Sequence, residues 1–393
     1  MHHSVKKAVL KPGKEVSLLR KHPWVFSGAI QEIEEVYIGD WVQVFDSRDR
    51  LLGTGQVGDG SIAIRMVAFE AIEPGTAFWQ TKLANCLALR KQLGFGLKTP
   101  TTAYRLVHGE GDNLPGLIID IYNDCAVIQA HSLGMYNSIN HIAEALENLK
   151  DLKLKTIYNK SFAAMHGTVD PDDFLLGDTP ETTAKENGLL FTVNWVTGQK
   201  TGFFLDQRDN RQLLRGFAKD KTVLNTFCYT GGFSVAALAG GAKEVVSADI
   251  SQTAIDLANN NVSLMKLQAD QIHEGQVMDV MKHLGEDQKL YDIVVLDPPA
   301  FAKSLSKKHK AVMGYKRLNA MGLKRVSPGG LLFTFSCSQV VDDVLFANTI
   351  TAAGIEAGRN CRILYRLGQG ADHPVNLYHP EGHYLKGLVI QVE

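Results

Sequence analysis

Several features that define large classes of proteins are missing from this sequence of 393 residues. No apolar run approaches the ~20 residues that a transmembrane helix needs, and the start, MHHSVKKAVL, lacks the apolar segment and cleavage site of a signal peptide. We therefore expect a soluble, cytoplasmic protein without a membrane partner. The 41 Lys and Arg residues nearly balance the 42 Asp and Glu residues, so any nucleic-acid-binding surface must be local.

Cysteine is scarce and scattered. The five cysteines form no CxxC pair, so the sequence indicates neither a disulfide framework nor a zinc site, and we expect no metal. Cys86, Cys125 and Cys361 are expected to be small buried side chains, and Cys228 to have a packing role near a ligand turn.

The length and the ordinary composition, 45% hydrophobic and 21% charged, predict a folded protein of several domains. Residues 1–75 combine basic side chains with short alternating runs such as WVQVF and predict a small β-barrel. Residues 76–190 predict an α+β domain, with one amphipathic helix from Phe78 to about Gly94 whose Arg90 faces outward, and a strand pair joined at Asn123-Asp124.

The remaining residues, 191–393, predict a doubly wound α/β domain. Buried strand-like runs alternate here with helical segments, which is typical of a parallel sheet. The strands are expected at TVLNTF, EVVSAD, near Gln276, DIVVLD and GLLFTFS. Such sheets bind ligands beyond the carboxyl ends of their strands, so we expect the chemistry in this domain.

A glycine-containing turn, CYTGGFS, follows the first of these strands, and Asp249 ends the next. Glycines let the backbone approach a ligand, and an acidic side chain at that strand end can accept hydrogen bonds from both ribose hydroxyls. The turn is not GxGxxG, which favours S-adenosylmethionine over a dinucleotide. A simple strand–helix turn with a surface aspartate is the structural alternative.

The strand DIVVLD ends in Asp297-Pro298-Pro299-Ala300-Phe301, where two prolines predict a rigid rim. Asp297 can hydrogen-bond a polar base edge, and Phe301 can stack on a base. A Pro-Pro turn with a core phenylalanine is the alternative. The basic run that follows predicts a phosphate-binding surface or, alternatively, a solvated face; it contains Lys303, Lys307, Lys308, His309, Lys310, Lys316 and Arg317.

Cys337 follows the strand GLLFTFS, at the same sheet edge as Asp249 and Asp297. A thiolate that adds to carbon 6 of a pyrimidine makes carbon 5 nucleophilic enough to attack a methyl sulfonium. That chemistry predicts a partly exposed thiol with a depressed pKa. A buried thiol that only packs is the alternative.

Taken together, these stretches resemble the bacterial ribosomal large-subunit RNA methyltransferase I family, over nearly the whole chain. The matching segments are LKPGKE, HPWVFSGAI, YRLVHGEGDNLPGLIID, KTGFFLDQRDNR, NTFCYTGGFS, LDPPAFAKS, FTFSCS, ADHPV and PEGHYLKG. The resemblance implies an N-terminal PUA-type RNA-binding domain, a central domain that shapes the substrate cleft, and a class I methyltransferase domain. It also implies methylation of carbon 5 of a cytosine in 23S rRNA, free or in a large-subunit precursor, and leaves a homodimer open.

The same resemblance implies roles for individual residues. Asp249 would hold the ribose of S-adenosylmethionine, and Asp279 would lie near the adenine amino group. Residues of the turn and of KTGFFLDQR would border the cofactor or cleft: Phe227, Tyr229, Thr230, Gly231, Lys200, Phe203, Gln207 and Arg208. We expect Gln207 and Arg208 on the cofactor side and Lys200 on the RNA side.

Within the resemblance, Cys337 is the nucleophile and Asp297 its partner at the cytosine N3 side. Other RNA cytosine-C5 methyltransferases carry a second cysteine just after the two prolines, where this chain has Ala300-Phe301. Asp372 and His373 form either an acid–base pair or part of a packed C-terminal hairpin. The rival functions are an RNA guanine-N7 or exocyclic-amine methyltransferase, which needs no thiol, and a non-catalytic RNA-binding assembly factor.

Overall fold

The computed structural model describes residues 5–286, 288–302 and 304–393. The chain divides into two compact units. The first comprises residues 1–185, 193–203 and 371–382, and the second residues 186–192, 204–370 and 383–393. The predicted division into three domains, with boundaries at 75 and 190, stays a prediction. The two units are defined by contacts within the chain, and unit 1 contains two separate sheets.

The first sheet of unit 1 has six strands in the order β2-β6-β5-β4-β1-β3. Alternating burial in Trp41–Phe45 places Val42 and Val44 in a small core with Ile64 and Met66. The elements are β1 Lys6–Leu10, α1 Val16–Leu19, β2 Trp24–Phe26, β3 Ile30–Ile33, β4 Trp41–Phe45, β5 Leu51–Val57 and β6 Ile62–Ala68.

The second sheet of unit 1 has the order β11-β10-β9-β8-β7 and carries the larger core. The predicted two-residue turn is confirmed, since Asn123 has φ 58° between two antiparallel strands. The elements are α2 Thr76–Gln92, β7 Ala103–His108, β8 Leu117–Tyr122, β9 Cys125–Ala130, α3 Leu133–Asn137, α4 Ile139–Asn148, β10 Thr156–Asn159 and β11 Asp173–Leu176. A hairpin of β12 Glu181–Glu186 and β13 Leu189–Asn194 follows.

The helix predicted from Phe78 to Gly94 is present, but the outward placement of Arg90 is wrong. Arg90 is fully buried, and its guanidinium makes two parallel hydrogen bonds to Asp112, of 2.8 and 2.6 Å. Its Nε donates to the Arg105 carbonyl at 2.8 Å. Helical periodicity predicts that a charged residue faces solvent. Here the Asp112 carboxylate, 22 residues away in the chain, balances the charge of the buried guanidinium.

Unit 2 is built on a seven-stranded sheet in the order β16-β15-β14-β17-β18-β20-β19. The first five strands are parallel and β20 is antiparallel to both neighbours, which confirms the doubly wound α/β fold. The elements are α5 Arg208–Phe217, β14 Thr222–Thr226, α6 Gly232–Ala239, β15 Glu244–Asp249, α7 Gln252–Ser263, β16 Ile272–Val277, α8 Val280–Glu286, β17 Tyr291–Leu296, α9 Lys308–Leu323, β18 Val326–Ser336, α10 Asp343–Ala357, β19 Cys361–Leu367 and β20 Lys386–Val392.

Most cysteines pack as expected. Cys86, Cys125 and Cys228 are buried, and Cys228 packs with Ile255 and Ala258. Cys361 is exposed, so its predicted burial is wrong. It begins β19, which forms the edge of the sheet and whose residues from Cys361 to Arg366 are all exposed.

Candidate active site

The turn after β14 has an unusual backbone. Phe227, Tyr229 and Gly231 all adopt positive φ, of 53°, 45° and 75°, a conformation that non-glycine residues seldom take. At Gly231 only glycine fits, because a Cβ there would lie 2.9 Å from the Cβ of Ala258. The turn therefore brings backbone atoms, rather than side chains, to the start of α6.

Asp249, at the carboxyl end of β15, holds this turn. Its carboxylate accepts hydrogen bonds from the backbone N–H of Tyr229 at 3.1 Å and of Ser251 at 3.0 Å. Asp279 lies after the neighbouring strand, where the N–H of Met278 donates to the Asp249 carbonyl at 2.8 Å. The two predicted adenosine-binding carboxylates are thus brought to the ends of adjacent strands.

The other predicted cofactor residues surround the same turn. Thr230 is buried, and its carbonyl accepts from the amide of Asn261 at 2.8 Å. The ring of Tyr229 stands edge-on to that of Phe204, with 5.3 Å between centroids. Gln207 and Arg208 are both buried at the start of α5. The side-chain oxygen Oε1 of Gln207 accepts a hydrogen bond from the side-chain amide of Asn210 at 2.6 Å.

These features fit an adenosine cofactor. The turn has three residues with positive φ, and α6 begins directly after it, so backbone N–H groups of the helix start lie at this strand end. Asp249 ends its strand with a carboxylate that is not fully buried. Such a carboxylate can accept hydrogen bonds from the two hydroxyl groups of a ribose.

Asp297 follows β17 and is electrostatically perturbed. Burial and the negative charge of Asp206 raise the pKa of Asp297 to about 7, although Arg211 and a hydrogen bond from Gln207 favour the ionised form. The carboxyl group therefore carries a proton for a substantial fraction of the time at neutral pH. A protonated carboxyl can donate a hydrogen bond to a base nitrogen.

Cys337 follows β18, the strand next to β17. Its side chain is partly exposed, as predicted. The predicted depressed pKa is wrong: burial, Asp297 and Asp206 raise the pKa of the Cys337 thiol to about 11. Lys386 acts in the opposite direction, yet burial lowers the pKa of this lysine as well, so one partly desolvated ammonium does not offset two carboxylates.

Two residues of the site were missed in the sequence. Asp206 lies inside the segment KTGFFLDQR, and its Oδ2 accepts from the hydroxyl of Tyr384 at 2.7 Å. Lys386 lies in PEGHYLKG and donates to the Ser338 carbonyl at 2.7 Å. Both belong to segments that carry the family resemblance, but periodicity gives no signal for them, because their neighbours in space are distant in the chain.

The predicted RNA-binding residues fall in several places. Lys307 and Lys308 lie at the start of α9, with Lys307 exposed and Lys308 partly buried, whereas Lys303 lies outside the described residues. Phe301 packs edge-on against Tyr315 of the core, with ring centroids 4.6 Å apart. In this conformation the ring packs against the core, and its predicted stacking on a base is not observed. Lys200 is exposed and belongs to unit 1.

Asp372 and His373 lie in unit 1. Both are fully or nearly fully buried, and they contact each other at 3.0 Å. Asp372 also accepts from the backbone N–H of Arg105 at 2.9 Å, and its carbonyl accepts from Arg90 at 3.0 Å. These contacts are those of a buried pair that packs and anchors the backbone, the second of the two alternatives given for it.

Two cavities of unit 2 lie outside this site. A cavity of about 330 Å³ is lined by Phe217, Asp292 and Leu331 among others, near the amino ends of the strands. Neither this cavity nor a second one of about 250 Å³, against α10, includes Cys337 or Asp297. The carboxyl-end edge is recognised by its strained turn and the raised pKa of Asp297.

Comparison with known proteins identifies the fold and the family. Residues 144–358 match the family described as S-adenosylmethionine-dependent methyltransferase, and residues 8–69 match a PUA-like domain. A candidate SAM-dependent methyltransferase from Streptococcus mutans has a TM-score of 0.83 at 26% identity, covering 99% of this chain and 100% of that one. The fold and site thus define a class I methyltransferase with a PUA-like domain, and its methyl donor is S-adenosylmethionine.

The relatives identify the particular family. Ribosomal RNA large subunit methyltransferase I of Alteromonas mediterranea is 40% identical, over 98% of this chain and 98% of that protein. The protein of the same name from Tolumonas auensis is 39% identical, over 97% and 98%. This chain belongs to the ribosomal RNA large subunit methyltransferase I family. No helix among the described residues is long and apolar enough to cross a membrane.

Proposed function

We propose that this protein methylates carbon 5 of a cytosine in 23S rRNA through a covalent adduct of Cys337. The observation that supports it is the placement of Asp297 and Cys337 directly after the neighbouring strands β17 and β18, where the two groups interact electrostatically. The names of the relatives support large-subunit rRNA as the substrate class.

The chemistry divides among three side chains. Cys337 Sγ forms a bond to C6 of the cytosine, and Asp297, in its protonated form, gives its proton to N3 so that the ring does not build up negative charge. Asp206 suits the acceptance of the thiol proton, because its Oδ1 is buried and accepts no hydrogen bond from a described residue. The thiol pKa of about 11 opposes this transfer, which is drawn forward because bond formation between Sγ and C6 consumes the thiolate.

When bound, S-adenosylmethionine would supply the electrophilic methyl group for C5, with the methyl–sulfur bond breaking and S-adenosylhomocysteine as the leaving group. Asp249 and the turn from Phe227 to Gly231 orient the cofactor, and Gln207 keeps Asp297 in place through their hydrogen bond. A base then removes the C5 proton, the Sγ–C6 bond breaks, and N3 returns its proton to Asp297. Cys337 leaves as the thiolate and takes its proton back from Asp206, and the ring is restored.

The test is transfer of labelled methyl groups to 23S rRNA that lacks the modification, followed by nucleoside analysis. We expect 5-methylcytosine with the wild type and with Cys361→Ala, a matched exposed cysteine, and none with Cys337→Ala. RNA carrying 5-fluorocytidine should trap a covalent complex with the wild type only, because fluorine at C5 cannot leave as a proton does. A fully active Cys337→Ala protein would refute the adduct.

One observation favours a second candidate. A thiol with a pKa of about 11 is almost wholly protonated at neutral pH, which suits methylation of a guanine N7 or an exocyclic amine, where no thiolate is needed. That reaction would leave a methylated purine or amine in the same nucleoside analysis. Absence of methyl transfer by the wild type to any rRNA substrate would instead support the RNA-binding assembly factor.

The RNA surface is tested separately. We propose that Lys307 and Lys308, at the start of α9, contact RNA phosphates. The double variant Lys307→Ala/Lys308→Ala should weaken rRNA binding and reduce the slope of log affinity against log salt by about 1–2. The matched control is Lys219→Ala/Lys243→Ala, two exposed lysines before the amino ends of β14 and β15. Equal losses in both double variants would contradict the assignment.

A further inference from the structure

Three potential metal ligands from distant parts of the chain meet in unit 1. One ring nitrogen of His22, one of His379 and a carboxylate oxygen of Glu381 all lie within 4.8 Å of one another. His22 precedes β2, whereas His379 and Glu381 lie in the segment 371–382, which belongs to the same unit. The sequence shows no spacing typical of a zinc motif here, because the chain brings these residues together only on folding.

His379 is the central member of the cluster. It is 3% exposed, and within the part of the chain that the structure describes neither of its ring nitrogens has a hydrogen-bond partner. The Glu381 carboxylate lies 3.8 Å from its Nε2, beyond hydrogen-bond range. Buried polar atoms are nearly always satisfied, so an imidazole with two unsatisfied nitrogens indicates a ligand that completes the site.

Trp24 contacts both histidines of the cluster. The Trp24 ring stands edge-on to His379 at 4.4 Å, and its Nε1 donates to Glu110 Oε1 at 2.9 Å. The backbone N–H of Trp24 makes a contact of 3.2 Å with Nδ1 of His22, so that nitrogen keeps its lone pair in the neutral ring. A cation bound to His22 would therefore replace the Trp24 N–H at Nδ1, or bind Nε2 after the ring proton moves to Nδ1.

The ligand chemistry selects the class of cation. Two neutral imidazoles and one carboxylate form a set that Zn²⁺ prefers, with a fourth position left for water. Glu110 adds a second negative charge that acts on His379, so the cluster neutralises a dication. Tetrahedral zinc ligands lie about 3.3 Å apart, and the exposed side chain of Glu381 can close the remaining gap by rotating.

We propose that His22, His379 and Glu381 bind one divalent cation of the zinc class. The cation fastens the segment 371–382 to the chain just before β2, within unit 1. This site is independent of the methyl-transfer chemistry proposed for unit 2.

The test is metal binding to the full-length protein after removal of metals by dialysis. Zn²⁺ is added, free metal is removed, and bound metal is measured by mass spectrometry, with competition against a chromogenic chelator for affinity. We expect one tightly bound equivalent in the wild type and an affinity about tenfold or more weaker in His379→Ala and in Glu381→Gln. Co²⁺ in place of Zn²⁺ should give visible absorption bands that both variants lose.

Two controls separate this site from other histidines. His141→Ala removes an exposed histidine of unit 1 that bonds to Thr76, and His2→Ala/His3→Ala removes the adjacent pair in the first residues of the sequence; both should keep the bound equivalent. The proposal is overturned if the wild type binds no Zn²⁺ at a modest excess, or if the equivalent survives in Glu381→Gln and disappears in His2→Ala/His3→Ala. Because Glu381 is exposed, Glu381→Gln keeps the test valid even if His379→Ala fails to fold.

Thermal unfolding gives a second readout. All four tryptophans, Trp24, Trp41, Trp79 and Trp195, belong to unit 1, so tryptophan fluorescence follows the unit that holds the site. We expect Zn²⁺ to raise the Tm of this transition in the wild type and in His141→Ala, and to leave it unchanged in Glu381→Gln. An equal rise in Glu381→Gln would contradict the assignment of the ligands.

Discussion

The hydroxyl of Tyr384 donates to Oδ2 of Asp206 across 2.7 Å, joining two residues 178 positions apart in the chain. The bond fixes a carboxylate that raises the pKa of both Asp297 and Cys337. The two residues proposed to carry the reaction are therefore tuned by a third, which the bond holds in place. Its effect leads to predictions for both groups.

Replacement of Asp297 by asparagine should stabilise unit 2 at high pH. The pKa of Asp297 rises from 3.8 to about 7 on folding, so the folded state binds the proton more tightly, and stability falls as the pH rises from about 4 to about 7. The shift sets a ceiling of about 4 kcal/mol, which partial exposure reduces to about 1–3 kcal/mol. Below pH 4 the difference from the wild type should vanish.

The measurement is hydrogen exchange of peptides from β17 and β18, at pH 5 and pH 8, with rates corrected for intrinsic exchange. We expect slower exchange in Asp297→Asn at pH 8 and a much smaller difference at pH 5. A difference of equal size at both pH values would show that the substitution acts through packing rather than through the proton.

Asp206→Asn should make the Cys337 thiol more reactive. Removing one of the two carboxylates that raise its pKa increases the thiolate fraction, so alkylation by iodoacetamide at pH 8 should accelerate by about 3- to 30-fold. Peptide mapping separates Cys337 from the exposed Cys361. The matched control is Asp256→Asn, an exposed carboxylate on α7, and an equal acceleration there would count against the electrostatic account.

Gly231→Ala should impair cofactor binding and stability. The new Cβ meets Ala258 at 2.9 Å, and alanine resists φ 75°, which predicts a cost of about 1–3 kcal/mol. Because the turn is displaced, the Kd for S-adenosylmethionine in calorimetry should rise about tenfold or more.

Gly329→Ala is the control for backbone strain alone. Gly329 also has positive φ, of 80°, but a Cβ there meets no atom within 4 Å. It should cost some stability and leave cofactor affinity unchanged. Equal cofactor affinities for the two variants would mean that the close approach to Ala258 does not shape the ligand site.

Arg90→Lys should destabilise unit 1 strongly. A lysine keeps the charge but cannot reproduce the paired bonds to Asp112 or the bond from Nε. Breaking a buried pair predicts a loss of about 3–5 kcal/mol. Urea unfolding followed by tryptophan fluorescence measures it, because every tryptophan lies in unit 1.

The neighbouring surface pair supplies the comparison. Lys91 and Asp151 form an ion pair in which both side chains are largely exposed, and Lys91→Ala should cost about 0–1 kcal/mol. Similar losses in the two variants would show that burial contributes little to the Arg90 pair.

Local patterns in the sequence were sufficient for the five parallel strands of unit 2 but did not locate the antiparallel pair β19 and β20. Continuous apolar runs predicted the parallel strands, and the amphipathic spacing predicted α2 within two residues at either end. Because parallel strands end at one edge, the sequence also predicted that Asp249, Asp297 and Cys337 follow strands of one sheet. These inferences depend only on residues close together in the chain.

Those patterns could not predict contacts between residues that are distant in the chain. Arg90 is buried because Asp112 neutralises it, and the Cys337 thiol has a raised pKa because Asp206 and Asp297 lie nearby. The cluster of His22, His379 and Glu381 spans almost the whole chain. Periodicity and motif therefore determined which elements form and which residues end them, whereas the tertiary structure decided charge, pKa and ligand geometry, because these depend on atoms brought together from distant segments.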